Sequence, residues 1–285
     1  MQETGRGFGA ALLTPITLFY LVFLIAPISF FLVMSVFKYD AFLLYKPVLT
    51  GENFTRLLFD SYYRAIVGQT LKVAALTTLF SLLLGYPLAY VLTRTQSAWR
   101  GVLLFLVIAP LMTGIIVRTY GWIVLLGAQG LVNGTLVASG IIDRPLKILG
   151  TETAVVVALV HILMPYMVFP LFSGLAAQDP NLERAASTLG AGRARIFFEI
   201  TLPLSRSGIV MGSVLVFTLA AGAVVTPALL GGKNVQMLGQ TIYDLVLHTL
   251  NWPLASAVAL VLVFLQLSII FVYLRSSRRG VVRAR

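Results

Sequence analysis

The chain has 285 residues, of which 59% are hydrophobic and only 11% are charged, and its formal net charge is +11. A soluble domain carries about 25% charged residues, so this composition excludes an ordinary water-soluble fold and indicates a chain whose solvent is lipid. The sequence contains no cysteine, which excludes disulfide bonds and thiol chemistry.

Six stretches are long and apolar enough to cross a bilayer, which takes about 20 helical residues. They are continuously apolar and do not alternate, so helices rather than strands are expected. The sequence therefore predicts an all-α, polytopic membrane protein with six transmembrane helices in one domain, 11–274. The predicted spans are roughly 11–37, 67–93, 101–126, 153–176, 207–230 and 253–274.

The basic residues are concentrated in the segments that lie inside if the N-terminus is inside. This asymmetry follows the positive-inside rule and predicts that the tails at 1–10 and 275–285 are both cytoplasmic. Topology therefore explains the charge, and nucleic acid is not an expected partner. The first apolar stretch exceeds the roughly 7–15 residues of a signal-peptide core and has no cleavage site after it, so we expect a multi-pass protein of a bacterial inner membrane.

The connections alternate between the two sides of the membrane. Segment 38–66 lies outside, and its aromatic residues are expected at the headgroup level. Pro87 is expected to kink the second span near its inner end. The short basic turn 94–100 makes the second and third spans a helical hairpin, and a short surface helix is expected within 128–152.

The third span carries the polar and aromatic residues that are best suited to face a solute. An ionisable residue within a span is costly and usually faces the bundle interior or a water path, which draws attention to Arg118. One hypothesis is that Thr113, Arg118, Tyr120 and Trp122 lie along the translocation pathway, with the last three lining or closing its outer part. The alternative is that Arg118 snorkels, or pairs with a neighbouring acid and stabilises the bundle.

The longest cytoplasmic connection, 177–206, has the local signals of two short helices. Asp179 is a good N-cap for the first helix. Residues 182–189 favour a helix, which Gly190 can stop in the left-handed conformation. A second helical run, 193–200, follows before the turn into the fifth span.

The two short helices have apolar faces near the cytoplasmic mouth of the bundle. Ala185, Ala186 and Leu189 form a small apolar face on the first helix, and Pro203 ends the second. Exposed apolar residues rimmed by charges are typical of a protein-binding surface, and a helix with small residues can seat in a groove of a partner. The residues alone leave open whether these faces bind a partner or pack on the chain's own bundle.

This loop resembles the EAA loop of ABC-importer permeases, whose pattern is E-A-A, three residues, G, nine residues, I, one residue, L-P. The loop also lies where the family has it, between the fourth and fifth spans. The residues that match the pattern, or are family-like beside it, are Ala185, Ala186, Leu189, Gly190, Ile200, Leu202 and Pro203.

One position departs from the family pattern. The family glutamate falls on Arg184, and Glu183 stands one residue earlier. Neighbouring positions on a helix differ by about 100°, so Glu183 is expected to point elsewhere. Any salt bridge that the family glutamate would make is therefore left open.

The resemblance implies a type I ABC-importer permease fold with six spans and cytoplasmic termini. In this family the loop docks a separate ATPase, which binds ATP and Mg²⁺, and the permease forms the translocation pathway for a solute delivered by an external binding protein. The implied partners are a second, related permease subunit in a heterodimer, two ATPase subunits, the solute-binding protein and the bilayer.

Four runs outside the loop resemble the permeases of spermidine/putrescine importers, so the resemblance implies a polyamine as the solute. Permeases for opines, other amines or amino-acid derivatives and inorganic ions share many of these features and stay as alternatives. The four runs are 118–122, 130–133, 230–232 and 251–253.

Sequence patterns for other chemistries are absent. The run 231–234 lacks the first glycine and the Ser/Thr of a nucleotide-binding P-loop, so this chain is expected to bind no cofactor itself. His161 and His248 stand apart without a zinc motif, and no G-x-S-x-G elbow occurs. We therefore expect a non-catalytic transport subunit without a metal. The rival, an ion-coupled secondary transporter, would need membrane-buried acids that the spans lack.

Overall fold

The computed structural model describes residues 3–95 and 99–281 of the chain. Within these residues the secondary structure is helical apart from one two-stranded sheet. Residues 1–2 and 282–285 of the predicted tails, and residues 96–98 of the predicted inner turn, lie outside the described residues.

The long helices follow the apolar stretches, and the short ones occupy the connections. In chain order the helices are α1 (Glu3–Ser35), α2 (Glu52–Phe59), α3 (Ser61–Arg94), α4 (Trp99–Ile108), α5 (Ile115–Leu126), α6 (Leu131–Ala138), α7 (Glu152–Ala176), α8 (Pro180–Thr188), α9 (Arg193–Ile196), α10 (Leu202–Leu204), α11 (Arg206–Ala221), α12 (Leu238–Leu247) and α13 (Trp252–Val281). A 3₁₀ turn covers Ala109–Met112, π-helical turns cover Phe197–Thr201 and Pro227–Gly231, and strands β1 and β2 cover Phe37–Asp40 and Leu44–Leu49.

Five helical segments among the described residues are long and apolar enough to cross a membrane. The pair Arg193–Leu204 and Arg206–Ala221, which is bent by 61°, brings the number to six if it is counted as one span. The predicted all-α, polytopic architecture is therefore confirmed. The five segments are Leu13–Ser35, Ser61–Arg94, Ile115–Ala138, Glu152–Ala176 and Trp252–Phe271.

The predicted third span, 101–126, is not one continuous helix. Helix α4 ends at Ile108, a 3₁₀ turn follows, and α5 begins only at Ile115. Pro110 lacks an amide proton for the helical ladder, which explains why the helix is interrupted there. The membrane-length segment therefore begins at Ile115 and extends through α6, into the region predicted as an outer connection.

The predicted boundaries of the last spans also differ from the structure. The predicted fifth span, 207–230, is helical only as far as Ala221, because the chain leaves the α-helix at Gly222 and re-forms as a π turn at Pro227–Gly231. At the other end of the chain α13 continues to Val281, so the predicted C-terminal tail begins as helix. In the same way α1 begins at Glu3, within the predicted N-terminal tail.

The contacts within the chain divide it into two compact units. The first comprises Met1–Arg64 and Thr241–Val261, and the second comprises Ala65–Gln240 and Leu262–Arg285.

A β-hairpin distinguishes the first unit, in a segment where only a connection was expected. β1 and β2 pair antiparallel, with Lys38 opposite Lys46. Asp40 closes the turn: its carboxylate accepts hydrogen bonds from the amides of Phe42 and Leu43, both 3.0 Å long, and pairs with Lys46. The hydrogen bond from Lys46, aided by the two amides, lowers the pKa of Asp40 to about 2.

The second unit is built around α7. In the most apolar stretch of 18 residues of this helix, 61% of the residues are buried. α11 packs closely along α7 because glycines face the contact. A Cβ atom on Gly208 would lie 2.6 Å from the carbonyl oxygen of Pro170, and one on Gly212 would lie 2.8 Å from Sδ of Met167. The small-xxx-small spacing of Gly208 and Gly212 is the pattern by which helices approach closely in membranes.

The predicted short helix within 128–152 is confirmed as α6. Its Asn133 is fully buried and holds the connection after the helix. The Asn133 amide donates to the carbonyls of Gly127 and Leu146, at 2.9 and 3.0 Å, and accepts from the amide of Leu146 at 2.8 Å. The side chain thus satisfies backbone groups that irregular structure leaves unpaired.

Candidate functional site

The first half of the 177–206 loop is a capped helix. The Asp179 side chain accepts a hydrogen bond of 2.9 Å from the amide of Asn181, and α8 follows from Pro180. Beyond the helix Gly190 has φ of +85°, and the amide of Ala191 donates to the carbonyl of Ala186 across the turn. The predicted N-cap and left-handed stop are both confirmed.

The second half of the loop is longer than the predicted helical run. α9, the π turn Phe197–Thr201 and α10 follow one another without a gap as far as Leu204. Pro203 was expected to end this run, but it lies inside α10, and the bend of 61° falls at Ser205. The wider π turn precedes Pro203, whose missing amide proton deprives the ladder of a hydrogen bond there.

Aromatic contacts attach the second half of the loop to the inner end of α3. The ring of Phe197 packs edge-on against Tyr86 and Tyr90, with centroid separations of 5.7 and 6.1 Å. The hydroxyls of Tyr86 and Ser205 share a buried hydrogen bond of 2.9 Å at the bend. Pro87, where a kink was predicted, is therefore adjacent to Tyr86, which contacts Phe197 and Ser205 of the loop.

Glu183 attaches the first half of the loop to the same helix. Its Oε1 accepts from Nη2 of Arg94, at the end of α3, and from the hydroxyl of Thr201 at 2.8 Å. The carbonyl of Thr201 in turn accepts from Gln178 at 3.0 Å. Glu183 therefore faces inward, and Arg184, the position of the family glutamate, is exposed.

The residues suggested for ATPase docking lie on both faces of the loop. Ala185, Leu189, Gly190 and Pro203 are exposed, and the Leu189 side chain is 88% exposed. Leu202, in contrast, packs against the core of the second unit. Sequence periodicity did not separate these two groups, because it does not show which side of a short helix faces the bundle.

A shallow cavity of about 220 Å³ lies between the two halves of the loop. Arg195 and Glu199 pair across one turn of helix at its edge, 2.9 Å apart. The cavity gives the exposed face of the loop both an apolar recess and a charged rim. It is lined by Ala186, Leu189, Ala191, Arg195, Ile196, Glu199 and Ile200.

Of the four pathway candidates, Arg118 and Trp122 lie together against α7. Arg118 Nη1 donates to the carbonyl of Ile162 at 3.4 Å, and Trp122 Nε1 donates to Nδ1 of His161 at 3.3 Å. The Arg118 Nε is buried and has no hydrogen-bond partner among the described residues. The one hydrogen bond described for the Arg118 side chain thus goes to a backbone carbonyl, and not to a neighbouring acid as the alternative hypothesis had it.

Thr113 and Tyr120 lie elsewhere on the same segment. Thr113 is exposed at the break before α5, and its hydroxyl donates to the carbonyl of Ala109 at 3.5 Å. Tyr120 is 55% exposed and is two residues from Arg118, which places the two side chains on different faces of a helix. The structure therefore brings together two of the four candidates and not the other two.

Sequence reasoning missed an ion pair between helices α3 and α7. Lys72 of α3 donates to Glu152 at 2.9 Å, and Gln69 donates to the same oxygen at 3.1 Å. Glu152 also borders an apolar cleft of about 550 Å³ that includes Trp122 and His161. Lys72 lies within the predicted second span, 67–93, but its partner is 80 residues away in the sequence.

Sequence comparison places almost the whole chain in one known family. Residues 5–280 match the family described as "Binding-protein-dependent transport system inner membrane component". The spermidine/putrescine transport system permease protein PotB of Haemophilus influenzae is 38% identical over 256 residues, which cover 90% of this chain and 89% of the relative. PotB of Escherichia coli is 37% identical over 233 residues, covering 82% of this chain and 84% of that protein.

Comparison with solved structures gives the same fold. A chain of a bacterial alginate ABC transporter, in complex with its alginate pentasaccharide-bound periplasmic protein, superposes with a TM-score of 0.80 at 19% identity. The superposition covers 97% of this chain and 96% of that one. A chain of an amino acid ABC transporter gives a TM-score of 0.54 at 15% identity, over 81% of this chain and 100% of that one.

Proposed function

Because the chain belongs to the family of inner membrane components of binding-protein-dependent transport systems, and is an ABC-importer permease, we propose that it forms part of the translocation pathway for a polyamine such as spermidine or putrescine. The observation that supports a polyamine as the solute is the 38% identity to a spermidine/putrescine permease over 90% of the chain. The protein is a non-catalytic, multi-pass inner membrane subunit.

The proposed assembly contains a second, related permease subunit, two cytoplasmic ATPases and an external solute-binding protein. ATP and Mg²⁺ would bind to the ATPase subunits, and this chain would hold no cofactor. The binding protein would deliver the solute, and ATP binding and hydrolysis would alternate the opening of the pathway. Each ligand must then bind the two conformations with different affinity, because otherwise it would shift no population.

The exposed face of the 177–206 loop is the proposed ATPase contact. Ala185 and Leu189 present an apolar surface to water, and Arg184 adds a positive charge beside them. A large exposed apolar side chain rimmed by charge is typical of an interaction site. Glu183 and Leu202 support this face from behind and are not expected to touch the ATPase.

We propose different roles for the four pathway candidates. Tyr120 and Thr113 are exposed on α5 and before it, so they are the proposed contacts of the solute. A tyrosine ring can attract the ammonium groups of a polyamine through a cation–π interaction. Arg118 and Trp122 instead hold α5 against α7, which keeps a like charge away from a cationic solute.

A reconstitution experiment tests this function. The chain is purified with the proteins encoded beside it, placed in liposomes, and supplied with external binding protein and spermidine or putrescine. We expect an ATPase to copurify and its hydrolysis to rise when loaded binding protein is added. Uptake that persists without any ATPase would instead identify a secondary transporter.

Two observations favour a second solute class, an inorganic ion. The molybdenum transport system permease protein ModB of E. coli is 36% identical over 166 residues, covering 58% of this chain and 70% of that protein. The buried Arg118, whose Nε lacks a partner among the described residues, would suit an anion better than a polyamine. Competition of molybdate against spermidine for the partner binding protein separates the two.

A further inference from the structure

Among the described residues, a single carboxylate provides the polar side-chain link between α8 and the spans. Glu183 Oε1 receives both Arg94 Nη2 and the Thr201 hydroxyl. The other hydrogen bonds described for the side chains of α8 and its cap, those of Asp179 and Thr188, stay within the helix and its cap. Glu183 is thus the point where α8, the π turn and the end of α3 meet.

We propose that Arg94 and Glu183 are positioning residues that make the inner end of α3 move together with the 177–206 loop. The proposal rests on the docking role proposed above for that loop. Arg94 is the last residue of α3, so displacement of α8 by a moving ATPase would act directly on the end of a helix of 34 residues. The aromatic contacts described between the loop and the same helix involve Phe197, in the second half of the loop beyond Gly190.

Three features make this pair a better mechanical link than an ordinary surface pair. The side chains of Arg94 and Glu183 are 32% and 22% exposed, against 70% and 60% for Arg195 and Glu199, so water screens the first pair less. The Arg94 guanidinium also lies 5.5 Å from the centroid of the Tyr90 ring, which holds it in place. Gln178, two residues beyond the end of α7, donates to the carbonyl of Thr201, so the link also reaches the connection that follows α7.

A charge exchange in the complete transporter tests the proposal. Arg94→Glu, Glu183→Arg and the double variant are compared by the ATP hydrolysed for each solute imported into liposomes. Each single variant is expected to raise this ratio by about tenfold, within the range of typical coupling effects, and the double variant to recover most of the loss. Arg144→Glu, an exposed charge reversal outside the loop, is the matched control and is expected to leave the ratio unchanged.

The outcomes separate the link from the docking function. If the single variants do not assemble, Glu183→Gln and Arg94→Lys are used, and intermediate ratios are expected. Single variants with the wild-type ratio, or a double variant no better than the singles, would overturn the proposal. If no ATPase copurifies with the wild-type chain, the proposed docking function is wrong. The contact between Arg94 and Glu183 is then tested by the same double-mutant cycle in thermal unfolding of the purified chain. Additive effects of the two substitutions on the unfolding midpoint would overturn the proposed link.

Discussion

Adjacent residues of the 177–206 loop have opposite environments. Glu183 faces inward and pairs with Arg94, whereas Arg184 is exposed. The departure from the family pattern at Arg184 therefore falls on the face proposed to meet the ATPase. We expect Arg184 to influence which partner surface fits, and Glu183 to hold the loop itself.

Leu189→Glu tests the proposed contact face. The side chain is 88% exposed, so its replacement is expected to change the free energy of unfolding by no more than about 0.5 kcal/mol. Affinity for the ATPase is expected to fall about tenfold or more, because a charge would enter an apolar contact. Copurification at graded salt measures the affinity. Phe42→Glu, at the hairpin turn and 95% exposed, is the control, and an equal loss there would contradict the assignment.

Gly190→Val tests the turn between the two helices of the loop. A residue with a Cβ at φ of +85° costs about 1–2 kcal/mol, and more when it is β-branched. We expect the variant to reorient α8 and to uncouple ATP hydrolysis from uptake. Gly192→Val is the matched control, since Gly192 has φ of −71° and open space around its Cβ position.

Arg184→Glu is expected to be milder than Gly190→Val in the same coupling assay. The change restores the family residue at an exposed position and places no strain on the backbone. An uncoupled Arg184→Glu variant beside a normal Gly190→Val variant would show that the coupling contact lies on different residues.

At the level of the elements, the helix pair α7–α11 connects the loop to the core of the second unit. The loop leaves α7 at Ala176 and returns into α11 at Arg206, so movement of the loop acts on both helices. Gly174 and Gly208 bring the backbones close together, with a Cβ on Gly174 only 3.2 Å from Cα of Gly208. Such close packing is stiff, because neither backbone can move aside without moving the whole helix.

Gly208→Val is therefore expected to destabilise the protein by about 1–3 kcal/mol through overpacking. Its Cβ would lie 2.6 Å from the carbonyl oxygen of Pro170, which is backbone and cannot rotate away. The thermal unfolding midpoint in detergent measures the effect. Gly68→Val in α3, where the Cβ position is open, is the control, and similar losses in both variants would argue against a specific close contact.

For the whole molecule, the distribution of charge predicts which side of the membrane each segment occupies. The chain contains no cysteine, so single cysteines can report accessibility without background labelling. A cysteine replacing Phe42 is expected to react with an impermeant thiol reagent from outside only, and one replacing Arg184 from inside only. Reaction of both from the same side would contradict the topology.

Much of the architecture was predictable because it depends on local properties of each segment. Apolar length determined where five to six spans lie, and the cap at Asp179 and the stop at Gly190 follow from side-chain hydrogen bonding and backbone freedom. The break at Pro110 was not predicted, since a proline is tolerated in some membrane helices and interrupts others according to their neighbours. The hairpin at Phe37–Leu49 was missed because its strands are short and lie in a segment read as a connection.

The sequence by itself determined the solvent of the chain, its family and the position of the 177–206 loop, and it predicts the sidedness, because transfer free energies and local backbone preferences act within each segment. Only the tertiary structure decided which loop residues face inward, and that Glu183 pairs with Arg94 and Glu152 with Lys72. These partners lie 89 and 80 residues apart in the sequence. Their meeting depends on how whole helices pack, and no local preference specifies that.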